Sequence, residues 1–238
     1  MIRNLFFDLD DTLLDFRLSE RSALTETLVS FGIPVPDALP DRYAAINADY
    51  WHRLERGEVT RDALKVLRFR DLFRVSGITG IDPEAVTHAY EERLASRYFL
   101  IPDAHKTLAA LHGRYRLFAA SNGTGHIQRA RLVGAGIAPL FDGLFISAEI
   151  GAEKPSPAFF DAIFTRFPAL VRAETVMIGD SLTSDIAGGQ AAGLRTVLFD
   201  PTGQKSGNGV RPDLRIRSLN ELPSALETLD RAAGTPAQ

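Results

Sequence analysis

Five short stretches of this 238-residue chain are apolar at successive positions instead of alternate ones: NLFFDLD (4–10), YRLFAAS (115–121), GLFIS (143–147), TVMIGD (175–180) and RTVLFD (195–200). A strand with water on one face alternates, whereas a strand covered on both faces does not, so the pattern predicts a parallel sheet packed between helices. Helical stretches follow the runs, which makes the expected class α/β with right-handed crossovers. The stretch SLNELPSALETLDRAA reads as a closing helix, and GTPAQ as a frayed tail.

The first gap breaks the rhythm, because more than one hundred residues separate the run at 4–10 from the run at 115–121. Inside it the periodicity is helical: Leu24, Leu28 and Phe31 fall at i, i+4 and i+7, and Leu64, Leu67 and Leu72 share a face. FGIPVPDALP reads as a helix–helix connection, and Thr60 is placed to cap a helix. The expected organisation is a core of residues 1–15 and 99–238 with an all-helical insertion over 16–98.

Composition narrows the partners. A formal net charge of -3 gives no electrostatic footprint for a nucleic acid polymer or an anionic membrane. No cysteine is present, which removes disulfide partners, thiolate metal sites and cysteine nucleophiles. No apolar run approaches the roughly 18 residues of a membrane span, and the N-terminal run meets acid too early for a signal-peptide core. A soluble, cytoplasmic protein with a small-molecule partner is expected. Lysine is scarce in a chain rich in arginine: Lys65, Lys106, Lys154 and Lys205 are the four present.

In open α/β sheets the ligand site lies beyond the carboxyl ends of the strands. The first run ends on Asp8 and Asp10, the second on Ser121 and Asn122, and the fourth on Asp180, with Asp185 one turn further on; Lys154 precedes the Pro–Ser that opens a helix. Carboxylates crowded in this way need neutralising, and oxygen ligands suit a hard divalent cation such as Mg²⁺. Ser121, Asn122, Lys154 and the backbone N–H groups of Leu9 and Asp10 offer donors to a phosphate. Metal, phosphate cradle and ionised carboxylate together describe phosphoryl transfer. Asp8 is expected to be ionised at neutral pH, the more so beside Mg²⁺ and Lys154. Asp11 shapes the turn after the first strand, and the Gly-rich segment 200–213 reads as a surface connection.

These residues resemble the haloacid dehalogenase superfamily: DLDDT its first motif, SNG its second, KP its third and GDSLTSD its fourth, in order along most of the chain. The resemblance implies a Rossmann-like core with a helical cap. It implies Asp8 as the nucleophile of a phosphoaspartate pathway, and Asp10 as the acid that protonates the leaving group and later activates water. Ser121 and Lys154 would hold the phosphoryl group. Asp8, the backbone carbonyl of Asp10 and Asp180 would ligate Mg²⁺, with Asp185 direct or through water. Dehalogenases of the superfamily lack an acid at the position of Asp10, so a phosphomonoester is the expected substrate. Phosphonatases use a cap lysine, and the insertion offers only Lys65.

DDTLLDF, LERGEVTRDALKVLRFRDLF and MIGDSLTSDIAGGQAAGLRTV are similar to the branch of pyrimidine nucleoside 5′-monophosphate phosphatases. A flat, anionic substrate asks the cap for aromatic faces and a cation, with Phe16, Arg17, Trp51, Arg68 and Phe69 as candidates. A phosphoglycolate or sugar-phosphate phosphatase, a phosphosugar mutase, and a phospho-accepting signalling or binding protein remain as alternatives. Gly123 and Gly125 do not make a dinucleotide turn, because Gln128 stands where the third glycine belongs.

Overall fold

The structure, a computed structural model, describes residues 1–207 and 209–234. All but the first residue of the predicted GTPAQ tail lie outside the described residues. The chain divides into two compact units, Met1–Asp15 with Leu100–Gln238, and Phe16–Phe99.

The first unit begins with β1 (Asn4–Phe7). The second unit then contributes α1 (Phe16–Ser30), α2 (Ala38–Glu55), α3 (Arg61–Ser76) and α4 (Pro83–Ala95), with no strand among its described residues. The first unit resumes with α5 (Ala104–Leu111), β2 (Arg116–Ser121), α6 (Gly125–Gly134), β3 (Gly143–Ile146), α7 (Ser147–Ile150) and α8 (Pro157–Arg166). It closes with β4 (Thr175–Gly179), α9 (Gly188–Ala191), β5 (Arg195–Phe199), β6 (Leu214–Ile216) and α10 (Leu222–Gly234). The six strands form one parallel sheet in the order β3-β2-β1-β4-β5-β6. The order reverses between β1 and β4, which is where such sheets bind ligands.

The continuous apolar runs have their cause in this layering. Within β1, Leu5 and Phe7 join a core with Leu117, Ala119, Val176 and Ile178 that α5, α6 and α10 cover. Phe6, between them, faces the opposite way into Phe118, Phe145, Met177, Phe159 and Phe160, under α8. Phe118 stacks on Phe145 at 5.1 Å, and Phe6 meets both rings edge-on. The glycines of DIAGG permit close approach: a Cβ on Gly188 would lie 2.9 Å from the Pro155 Cα, and one on Gly189 3.1 Å from the Met177 Cβ.

After β1 the chain curls tightly. Leu13 and Leu14 N–H both donate to the Leu9 carbonyl, and Asp11 takes a left-handed conformation with φ 56°. Leu14 then bridges antiparallel to Leu100, and the Ile101 N–H donates to the Leu13 carbonyl at 2.9 Å.

In the helical unit Thr60 caps α3, its Oγ1 accepting from the Ala63 N–H at 3.3 Å. Tyr43, Phe69 and Tyr90 pack ring against ring at 5.1–5.7 Å in its interior. Arg68 is buried with them, its guanidinium 4.9 Å from the Tyr90 ring centre and donating to the Asn47 Oδ1 at 2.9 Å. Lys65 is held by Glu91 at 2.8 Å. No helix among the described residues is long and apolar enough to cross a membrane.

Candidate active site

The sheet delivers its acids to one edge. Asp8 is the first residue past β1, and its N–H still donates to the Ile178 carbonyl at 2.9 Å, so its position follows the β1–β4 ladder. Asp180 is the first residue past β4, and Asp185 lies in a π-helical turn, Leu182–Ala187. The carboxylates of Asp8, Asp180 and Asp185 each offer an oxygen within 4.8 Å of the others.

Lys154 occupies the centre. Its ammonium donates to Asp8 Oδ1 at 2.8 Å, Asp185 Oδ1 at 2.7 Å and the Ala120 carbonyl at 2.6 Å, using all three protons. Burial alone would push this lysine's pKa down, but Asp185 and Asp8 outweigh burial and raise it, so the ammonium stays charged. Asn122 fixes its backbone: the amide accepts from the Lys154 N–H at 2.9 Å and donates to the Lys154 carbonyl at 2.8 Å. The amide proposed from sequence as a phosphate donor is thus engaged in holding the lysine.

Asp185 is held under the end of β4. Its Oδ2 accepts from the Ser181 N–H at 3.0 Å, and a Cβ on Gly179 would sit 2.2 Å from that oxygen. Only glycine fits there. Thr12 donates to Asp8 Oδ2 at 3.4 Å.

Three partners of the site carried no signal in the reading of strand ends. Lys205 reaches back from the 200–213 segment to donate to both the backbone carbonyl and Oδ2 of Asp180 at 2.6 Å. That segment is more than a surface connection, because the fully buried Asp200 organises it, accepting from Thr202 Oγ1 and the N–H groups of Gly203 and Lys205. The scarcity of lysine was the one available hint. The other two are Gln128 and Arg131 on α6. Gln128 Nε2 donates to Asp10 Oδ2 at 2.7 Å and to Ser121 Oγ at 2.9 Å, and Arg131 pairs with Asp10 Oδ1.

Burial sets Asp8 apart from an ordinary aspartate. Asp8 does not share the pKa of a free aspartate in the metal-free protein: burial raises it well above its ordinary value, Lys154 opposes, and Asp185, Asp180 and Asp10 add to the rise. Burial likewise pushes Asp180 up to about 6, with Lys205 opposing. A carboxyl raised in the folded state stabilises the fold below its unfolded pKa, and that contribution is lost as pH rises through the folded value. In chelator, the protein is therefore expected to lose about 3 kcal/mol relative to Asp180→Asn as pH climbs from about 4 through about 6. Thermal unfolding across that range checks it, and parallel curves for the two proteins would refute it.

Three hard oxygen donors converging from different elements fit a small divalent cation, which takes more oxygen ligands than these three and would complete its shell with water. The Asp10 side chain is engaged by α6, so among the sequence candidates Asp8, Asp180 and Asp185 are the ones whose carboxylate oxygens could hold a cation. Of the insertion candidates, Arg68 and Phe69 are spent on the interior of the helical unit. Phe16 and Trp51 are half-buried and Arg17 is exposed, with the Arg61 guanidinium 5.6 Å from the Trp51 ring centre.

Carboxylates and a buried lysine thus meet at the carboxyl edge of a doubly wound parallel sheet, where proteins of this class bind ligands. The chain belongs to the haloacid dehalogenase-like hydrolases, whose family model matches residues 2–193. It is 35% identical to the pyrimidine 5′-nucleotidase PynA of Streptococcus pneumoniae, covering 94% of each chain. It is 28% identical to the pyrimidine 5′-nucleotidase YjjG of Escherichia coli, covering 93% of this chain and 96% of that one. Among solved structures, the HAD-hydrolase YfnB of Bacillus subtilis, bound to magnesium, superposes with a TM-score of 0.89 at 35% identity, covering 94% of this chain and 98% of that one.

Proposed function

We propose that the protein is a Mg²⁺-dependent phosphomonoester hydrolase that works through a phosphoaspartate and prefers pyrimidine nucleoside 5′-monophosphates. The observation that carries the chemistry is the Lys154 ammonium joined to both Asp8 and Asp185 at the sheet edge. Similarity to two pyrimidine 5′-nucleotidases along almost the whole chain supports the substrate class.

In this reading an oxygen of Asp8 attacks phosphorus as the ester P–O bond breaks. The electron pair leaves on the ester oxygen, which takes a proton from Asp10. Water, deprotonated by Asp10, then attacks the phosphoaspartate, frees phosphate and returns Asp8. Lys154 stays beside the reacting oxygens as a fixed positive charge, and Ser121 Oγ, placed by Gln128 and the Gly123 N–H, offers its proton to the phosphoryl group. A divalent cation held by Asp8, Asp180 and Asp185 would supply charge neutralisation during the transfer. Asn122 serves by holding Lys154. Leu9 and Asp10 would offer backbone N–H groups to the phosphate, and the Asp10 carbonyl and Asp185, the latter directly or through water, would help to hold the metal. The helical unit acts as the cap, in which Phe16, Arg17 and Trp51 meet the base while Arg68 and Phe69 stiffen the scaffold.

Phosphate release from pyrimidine and purine 5′-monophosphates, sugar phosphates and phosphoglycolate, in Mg²⁺ or EDTA, tests the reading. Mg²⁺-dependent preference for pyrimidine nucleotides is the expected result. Activity confined to sugar phosphates or phosphoglycolate would overturn the substrate class and keep the chemistry. Phosphorylation of the protein without release of phosphate would point to signalling.

A further inference from the structure

Gln128 and Arg131 sit one turn apart on α6, each with 1% of its surface exposed. Residues at i and i+3 share a helix face, and here both reach the same carboxylate. Gln128 Nε2 takes Asp10 Oδ2 at 2.7 Å, Arg131 Nη1 takes Asp10 Oδ1, and the same Nη1 donates to Gln128 Oε1 at 3.0 Å. The two oxygens of Asp10 are thereby pinned by two different side chains that are also pinned to each other. Fixing both oxygens fixes the plane of the carboxylate as well as its position.

The pairing is lopsided. The Arg131 side chain is 1% exposed, whereas that of Asp10 is 29% exposed. The clamp is locked inside the protein, and the group it grips still meets solvent. Each carboxylate oxygen also keeps a further lone pair for a proton or a water. A buried ion pair adds little to stability compared with apolar packing, so a guanidinium held this way is better accounted for by what it orients. The backbone is fitted to the same end: a Cβ on Gly123 would lie 2.3 Å from Gln128 Nε2 and would push the amide off its two partners.

We infer that Gln128 and Arg131 are positioning residues for Asp10, setting the orientation from which it gives a proton to the leaving oxygen and later takes one from water. This rests on the acid–base role of Asp10 proposed above. Orientation matters at this scale, since a displacement of about 1 Å in a reacting group costs roughly 10²-fold. Gln128 also ties Asp10 to Ser121 through one nitrogen, so the proton donor and the phosphate-binding hydroxyl move as a unit.

The test compares an alkyl phosphate, whose alkoxide needs a proton to leave, with 4-nitrophenyl phosphate, whose phenolate does not. With Mg²⁺ present throughout, kcat/KM is measured for wild type, Asp10→Asn, Arg131→Met, Arg131→Lys and Gln128→Met, since it reports the steps up to leaving-group departure. Arg131→Met is expected to lose roughly 10²-fold on the alkyl ester and less than about tenfold on the aryl ester. Gln128→Met should show the same selectivity more weakly, and Arg131→Lys should recover part of the alkyl rate. Selective loss in Asp10→Asn with equal or no loss on the two esters in Arg131→Met would overturn the inference. If Arg131→Met does not fold, Gln128→Met decides by the same criterion. If Asp10→Asn itself shows no selectivity, the acid role of Asp10 falls, and the inference with it.

Discussion

Asp8→Asn protein is expected to release phosphate at least about 10⁴-fold more slowly than wild type, because the amide replaces the proposed nucleophile while keeping its shape. The same substitution should leave the metal-free protein as stable as wild type or more so. Asp8 is buried beside Asp180 and Asp185, and burial raises its pKa, so in chelator at neutral pH its charge opposes the fold. Activity and stability therefore move in opposite directions at one residue. A phosphate-release assay and thermal unfolding in EDTA measure both. Turnover within tenfold of wild type would sink the nucleophile assignment.

Lys154→Met should damage both properties together. The ammonium is the shared partner of Asp8 and Asp185, each within 2.8 Å, and its side chain is 1% exposed. Removing one member of a buried pair leaves the remaining charge uncompensated, which costs about 3–5 kcal/mol. Part of that loss should return on adding Mg²⁺, since a cation binding only the folded state stabilises it. Asp185→Asn added to Lys154→Met should also restore part of it, by lifting one of the stranded carboxylates. Denaturant unfolding of the single and double variants in EDTA is the measurement. A single variant within 1 kcal/mol of wild type would show that the lysine is not what holds these acids together.

What could be read from sequence was whatever depends on neighbours along the chain. The strands stood out because Leu5 and Phe7 face one core and Phe6 the other, which erases alternation. β6 gave no such run: its three residues include an exposed Arg215, and among the described residues it pairs with β5 alone. Asp8, Asp180 and Asp185 were visible because strand ends lie at one edge of a parallel sheet. Gln128, Arg131 and Lys205 were not, because they reach their acids across 118, 121 and 25 residues. Arg68 and Phe69 fitted a substrate face by residue type, and only packing revealed that Tyr43 and Tyr90 enclose them. The upward pull on the Asp8 pKa was not visible in the sequence because burial is a property of the whole fold.

The Leu14–Leu100 bridge and the Ile101–Leu13 hydrogen bond bring the two ends of the insertion side by side within the core. To the sheet, the 84 residues between Asp15 and Leu100 are one long excursion whose ends are already closed. Because the cost of closing an excursion rises only slowly with its length, the core tolerates wide variation in what is carried there. The bridge thus works as a socket: what is plugged into it can vary in length and content while the acids and lysine of the sheet edge keep their spacing.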